Sequence, residues 1–199
     1  MVGKFLSMTA TELLKETARV TMQNGETVRK KFSHLSDVQA KWKPNDITWN
    51  IQEIFAHLNE YARFYHAAIT RKLANTRFTS PKENFMSSHL GKSAWSSMKL
   101  GNAKNIKRKF NSLKAYDPVY TPELITNDEI ERFRSYQEEF LSIIDQSKTV
   151  NIRKVKIPNS MSKIIKLRLG DVLLFISYHN ERHIQQAMNL ITHPKFPKK

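Results

Sequence analysis

Apolar residues recur along the chain at steps of three and four in four long stretches, the spacing of one helix face. In the first, Leu14, Ala18, Thr21, Gly25, Val28, Phe32 and Leu35 form one stripe, and Thr9 with Glu12 has the spacing of a capping box. Gly25 weakens this helix and marks either a kink or the close approach of a neighbour. The second stretch covers residues 50–73, with Ile51, Ile54, Phe55, Leu58, Tyr61, Ala62, Tyr65 and Ile69 on its apolar face. The third starts at Thr126, again as a capping box with Glu129. It carries Ile130, Phe133, Gln137, Phe140 and Ile144 to an end near Ser147, with Gln137 the polar exception. The fourth runs from Gly170 or Asp171 to Thr192, and Pro194 stops its continuation.

Between these stretches the pattern changes. Residues 42–49 read as a loop, since Pro44 pushes Lys43 out of helical geometry. Residues 75–125 are less regular, punctuated by Pro81, Pro118 and Pro122, with a short basic helix expected over residues 102–114. A connection this long between bundle helices is a crossover. Residues 150–158 alternate apolar and polar positions, and residues 164–169 repeat the alternation, so a small β-hairpin is expected before the last helix. Residues 195–199 are expected to form a loose tail. The expectation is therefore an all-α four-helix bundle with a long crossover connection, in a single domain over residues 1–199.

Composition supports a packed core. Hydrophobic residues make up 40% of the 199 residues and aromatics 10%, and five glycines with seven prolines suit long helices better than many tight turns. Cysteine is absent, so a metal site would use nitrogen or oxygen ligands. No stretch approaches the roughly 18–20 apolar residues of a membrane span, and the first residues carry no signal-peptide run. A cytoplasmic protein with no membrane partner is expected. The net charge of +15 raises nucleic acid as a possible partner.

The chain has seven histidines, and two of them form a pattern. His179 and His183 are four residues apart, hence on one helix face. Val172, Ile176, His179, His183, Ala187 and Leu190 form the stripe that should point into the core. Two imidazoles there cost desolvation unless something pairs with them, and a bound metal would resolve that. Two ligands are too few, because a catalytic site usually has three and an open position. His57 is the best-placed third candidate, although alone it reads more readily as a satisfied interfacial histidine than as a ligand. His34, His66, His89 and His193 have no ligand-like spacing and read as surface or loop residues.

Asn180 follows His179 and Arg182 precedes His183, so this is neither form of the zinc-protease helix. Glu181 lies about 200° around the helix from His179 and should face away. No nucleophile elbow, P-loop or dinucleotide fingerprint occurs.

Several features in order resemble the DinB/YfiT-like superfamily. Trp42-Lys-Pro precedes Ile47-Thr-Trp49-Asn-Ile-Gln-Glu-Ile and then Ala56-His57-Leu58. Later, Ile164-Ile-Lys-Leu-Arg-Leu-Gly-Asp171-Val-Leu leads into His179-Asn-Glu-Arg-His183-Ile-Gln-Gln-Ala187. The resemblance spans residues 10–190. It implies a four-helix bundle, a divalent metal (zinc or nickel) held by His57, His179 and His183, and frequent homodimers. It also implies activity as a metal-dependent hydrolase or as a thiol S-transferase using a low-molecular-weight thiol, acting on a small-molecule substrate.

Three neutral imidazoles leave the ion's double positive charge intact, which acidifies a bound water or a substrate thiol. No general base stands out. Glu60 and Tyr61 lie within a turn of His57, but an exposed ion pair and a core tyrosine are the plainer readings. The rival is a basic nucleic-acid-binding protein using Lys99, Lys104, Lys107, Arg108, Lys109 and Lys114 with Trp95 and Phe110. A solvated basic face is the plainer reading. A catalytically inactive bundle that binds metal or a small molecule is the third.

Overall fold

The computed structural model describes residues 8–101, 106, 113–160 and 162–198, without the side chains of Leu124 and Lys163. Six helices and one hairpin follow in order: α1 (Ala10–Lys31), α2 (Asp37–Lys41), α3 (Ile51–Ala74), α4 (His89–Met98), α5 (Glu129–Gln146), β1 (Lys156–Asn159), β2 (Ser162–Arg168) and α6 (Leu169–Ile191). The basic helix expected over residues 102–114 lies almost wholly outside the described residues.

The long helices start where their caps predict. Thr9 and Glu12 form the reciprocal box on α1, and Asn50 with Glu53 does the same on α3. At α5 the expectation needs correction. Thr126 donates its backbone N–H and its hydroxyl to Glu129, but Glu129 N–H does not return to Thr126, and the helix begins at Glu129. α1 also ends earlier than its stripe, at Lys31, and Ser36 with Gln39 caps the separate short α2.

Two apolar clusters fix how the helices run. One gathers Leu13 and Val20 of α1, Tyr65 and Ile69 of α3, Phe140 and Ile143 of α5, and Leu169–Tyr178 positions of α6. The other gathers Val28, Ile51–Leu58 positions of α3, Phe133, and Ile184–Leu190 positions of α6. Hence α1 and α6 run one way and α3 and α5 run the other. α1 packs along α5 and α6, and α3 packs along the same two. Because α3 and α5 are parallel, the connection between their ends, from Asn75 to Asp128, has to return the length of the bundle.

Between the clusters the core turns polar. Asn24 donates to the Ser177 carbonyl (3.1 Å), and Asn180 reaches Gln137 (3.5 Å). Gln137 is thus the polar exception on α5 because it faces a polar partner. Gly25 lies opposite it: a Cβ there would meet Gln137 Cβ at 3.8 Å. On α6, His179 and His183 fall in this same interval.

The hairpin forms as expected, but with β1 starting only at Lys156. Residues 152–154 form a turn, whose backbone is held by the Asn151 side chain. The tail is not loose. Phe196 packs edge-on against Trp42 (5.5 Å), and Gln39 donates to the Pro197 carbonyl (3.0 Å). Among the described residues no helix is long and apolar enough to cross a membrane.

Candidate metal centre

His57 stands on α3 near its N-terminal end, and His179 and His183 stand one turn apart on α6. Because α3 packs along α6, the three rings meet: His57 lies 5.2 Å from His179 and 4.7 Å from His183 between centroids, and the α6 pair are 4.6 Å apart. One ring nitrogen from each falls within 4.8 Å of the others, and among the described residues this is the cluster of metal-ligating type.

Hydrogen bonds at the rim leave one ring nitrogen free on each of two histidines. The carbonyl oxygen of Tyr116 lies 2.5 Å from His57 Nδ1. A carbonyl can only accept, so Nδ1 carries the proton and the lone pair of the neutral ring sits on Nε2. His183 Nδ1 donates to Gln186 Oε1 (2.9 Å), which leaves its Nε2 free in the same way. His57 Nε2 is 3.3 Å from His179 Nε2. A tetrahedral ion with nitrogens at ~2.0–2.1 Å spans about 3.3–3.4 Å between adjacent donors, so this edge fits such an ion as it stands.

Burial keeps the rings neutral. It pushes His57 down to about 4, against a smaller opposing effect of the Tyr116 carbonyl. His179 is held well below the usual histidine range by burial first and then by His183 and His57. His183 is depressed by burial and by His57. Neutral imidazole is the form that ligates.

Aromatic rings enclose the cluster. Trp49, from the loop before α3, lies 5.0 Å from His57 and stacks on His183 at 6.2 Å. Tyr61 touches His57 and His179 (4.9 and 4.5 Å), and Phe175 stacks on His179 at 5.3 Å. Burial pushes the Tyr61 phenol up to about 12, so it stays protonated. Beside His57 runs a narrow cleft lined by Glu60, Tyr116, Glu129 and Arg132. Its volume of about 20 Å³ is room for a single water.

The remaining site expectations divide. Glu60 pairs with Arg63, the plainer of its two readings. Glu181 faces the groove between α1 and α6, away from His179, as its angle requires. His34 and His89 are exposed, and His193 lies against Trp42. His66 is the correction: it is buried, stacked on Phe140 at 5.4 Å, with Nδ1 3.1 Å from Glu139. It lies on the face of α3 that α5 covers, which spacing within one helix does not reveal. Sequence reasoning also missed the Tyr116 carbonyl, since any residue type supplies one. Of the basic patch, Trp95, Lys99 and Lys114 are described: Trp95 and Lys99 both lie against Tyr178, and Lys114 lies over Tyr120. The other members lie outside the described residues.

No curated protein and no solved structure matches the chain. The model of the DinB superfamily matches residues 22–187, which include all three histidines, the second half of α1, the whole of α3 and α5, and α6 up to its last turn. With that match over most of its length, the chain belongs to the DinB superfamily.

Proposed function

We propose that this protein is a metal-dependent enzyme, a hydrolase or thiol S-transferase acting on a small molecule, with His57, His179 and His183 holding one zinc or nickel ion. The observation that carries the reading is the 3.3 Å approach of the His57 and His179 Nε2 atoms, with His57 locked by a backbone carbonyl in the tautomer that ligates. The donor set fits a borderline-soft divalent ion: three neutral nitrogens, no thiolate, and no carboxylate in the cluster. When bound, such an ion supplies a Lewis acid that acidifies water or a thiol at its open position.

The protein's own residues do the rest. The Tyr116 carbonyl and Gln186 fix the ring orientations, so two of the three donors are aligned before binding. Trp49, Tyr61 and Phe175 keep bulk water from the rings and hold them neutral. The cleft beside His57, lined by Glu60, Glu129 and Arg132, has room for a single water.

Metal content measured by elemental mass spectrometry tests the reading, on protein purified without a polyhistidine tag. About one zinc or nickel per chain is expected, and His179→Ala should lose it. Screens of ester, amide and thiol-transfer substrates then separate the two chemistries. Stoichiometric metal with no turnover across such a panel would leave an inactive metal-binding bundle. Protein that takes up no metal at neutral pH would overturn the proposal.

A further inference from the structure

The hairpin before α6 has an irregular register. Lys156 pairs with Arg168, Ile157 with Leu167 and Pro158 with Lys166, and then Asn159 pairs with Ser162. Residues 163–165 on β2 therefore have no partners on β1 and bulge out of the ladder. The bulge holds Ile164 in solvent at 91% exposure and leaves Ile165 at 41%. Met86 and Leu90, exposed at 53% and 51%, belong to the neighbouring segment: Arg168 donates to the Met86 carbonyl, and α4 packs on β2.

Alternation along the strands separates two faces. Ile157 and Leu167 point inward and are fully buried. Lys156, Lys166 and Arg168 share the opposite face with Ile164. Lys156 and Arg168 are directly opposite each other, an arrangement of like charges that costs stability. Burial and Arg168 both hold the Lys156 ammonium below its ordinary range. Nothing in the proposed metal chemistry uses this face. The bulge also stands on a firm base: Tyr65 on α3 donates its hydroxyl to Ser160 Oγ, and Ser160 N–H donates back to the Tyr65 oxygen (both 3.2 Å).

We propose that this hairpin face is a docking surface for an anionic lipid bilayer, with Ile164 entering the headgroup region and Lys156, Lys166 and Arg168 meeting the lipid phosphates. Aliphatic side chains ringed by cations are the composition that binds such an interface. The net charge of +15 adds long-range attraction to it. A nucleic acid would attract the same cations, but residues 156–168 contain no aromatic ring on which a base could stack, and phosphates gain nothing from exposed isoleucine.

The test is co-sedimentation of the full chain with vesicles of phosphatidylglycerol and phosphatidylcholine in equal parts, beside vesicles of phosphatidylcholine alone. Binding is expected to the acidic vesicles only, weakening as salt rises. Ile164→Asp and Lys166→Glu should each weaken it by about tenfold. Ile47→Asp is the control, because Ile47 is an equally exposed aliphatic (94%) on the loop before α3 and should leave binding unchanged. Thermal melts of each variant confirm that it folds. Absence of binding to acidic vesicles overturns the proposal, as does binding that Ile164→Asp leaves intact. Salt-sensitive binding to single-stranded RNA or duplex DNA without vesicle binding would reassign the face to nucleic acid. Self-association lost in Ile164→Asp, again without vesicle binding, would reassign it to a second copy of the chain.

Discussion

Tyr116 holds His57 through its backbone: the carbonyl oxygen lies 2.5 Å from Nδ1, and the Tyr116 ring packs on Tyr61 at 4.6 Å, which itself touches His57 and His179. The crossover that returns the chain along the bundle thus also supplies the group that sets the tautomer of the α3 histidine. A connection needed for topology is in this way coupled to the chemistry of the site.

Burial of His57 makes stability depend on pH. The folded ring titrates at about 4, against about 6.5 in an unfolded chain. Between those values the unfolded state takes up a proton that the folded state refuses. Stability of the metal-free protein is therefore complete above about pH 6.5 and is lost as pH falls towards 4. At 1.36 kcal/mol per unit, His57 alone accounts for about 3 kcal/mol at the low end. Melting temperatures of metal-free wild type and His57→Leu, compared between about pH 7.5 and about pH 5, should show the shallower slope in the variant. Identical slopes would refute this assignment.

Two glycines should respond oppositely to alanine. A Cβ on Gly91 would lie 2.0 Å from the Asp171 carboxylate, whose Oδ2 also accepts the Ser88 N–H and hydroxyl that begin α4. Gly91→Ala must displace α4 from α6, at a cost of about 2 kcal/mol. Gly25 has only Gln137 Cβ within reach, at an ordinary 3.8 Å. Gly25→Ala should therefore stabilise by about 0.5–1 kcal/mol, the difference in helix propensity. Urea unfolding of both variants measures the pair. A stabilised Gly91→Ala would mean that α4 does not pack as described.

These glycines also mark where the sequence was legible. The stripes of α1, α3, α5 and α6 could be read because each buries a broad apolar face, and the histidine pair stood out because it interrupts such a stripe. α4 is less legible: Ala94, Trp95 and Met98 pack on the core only partly buried, and its one buried residue is Gly91. Its close approach to α6 rests on the absence of a side chain at Gly91 and on a carboxylate contributed from α6, and periodicity carries neither signal. His66 was hidden for a related reason, since its burial depends on Phe140 from another helix. The Thr126–Glu129 pair was legible as a spacing, but Asn59 also donates to the Glu129 carboxylate, at 2.6 Å. That tertiary bond holds Glu129 at the first residue of the helix, where it cannot complete the box.

The tail gives a test of packing that sequence reasoning missed. Phe196 on Trp42 and the bond from Gln39 to Pro197 dock it on α2. Removing residues 194–199 should cost about 1–2 kcal/mol, from the partly buried Phe196 ring and its edge-on contact. It should also expose Trp42, with a red shift of its emission. Unchanged stability together with unchanged emission would show the tail to be undocked.

Trp49 offers a direct reading of the proposed metal site. Its ring lies 5.0 Å from His57 and 6.2 Å from His183. Trp42 instead packs on Phe196 and His193, and Trp95 lies near Tyr178. A paramagnetic ion held by the three histidines should quench Trp49 and spare the other two indoles. One equivalent of copper or nickel added to metal-free protein is expected to remove about a third of the emission, one indole of the three in the chain. Trp49→Phe should still bind the ion, by elemental analysis, but lose the quench. His183→Ala should lose both. Quenching that persists in Trp49→Phe would place the ion near another tryptophan, and so away from His57, His179 and His183.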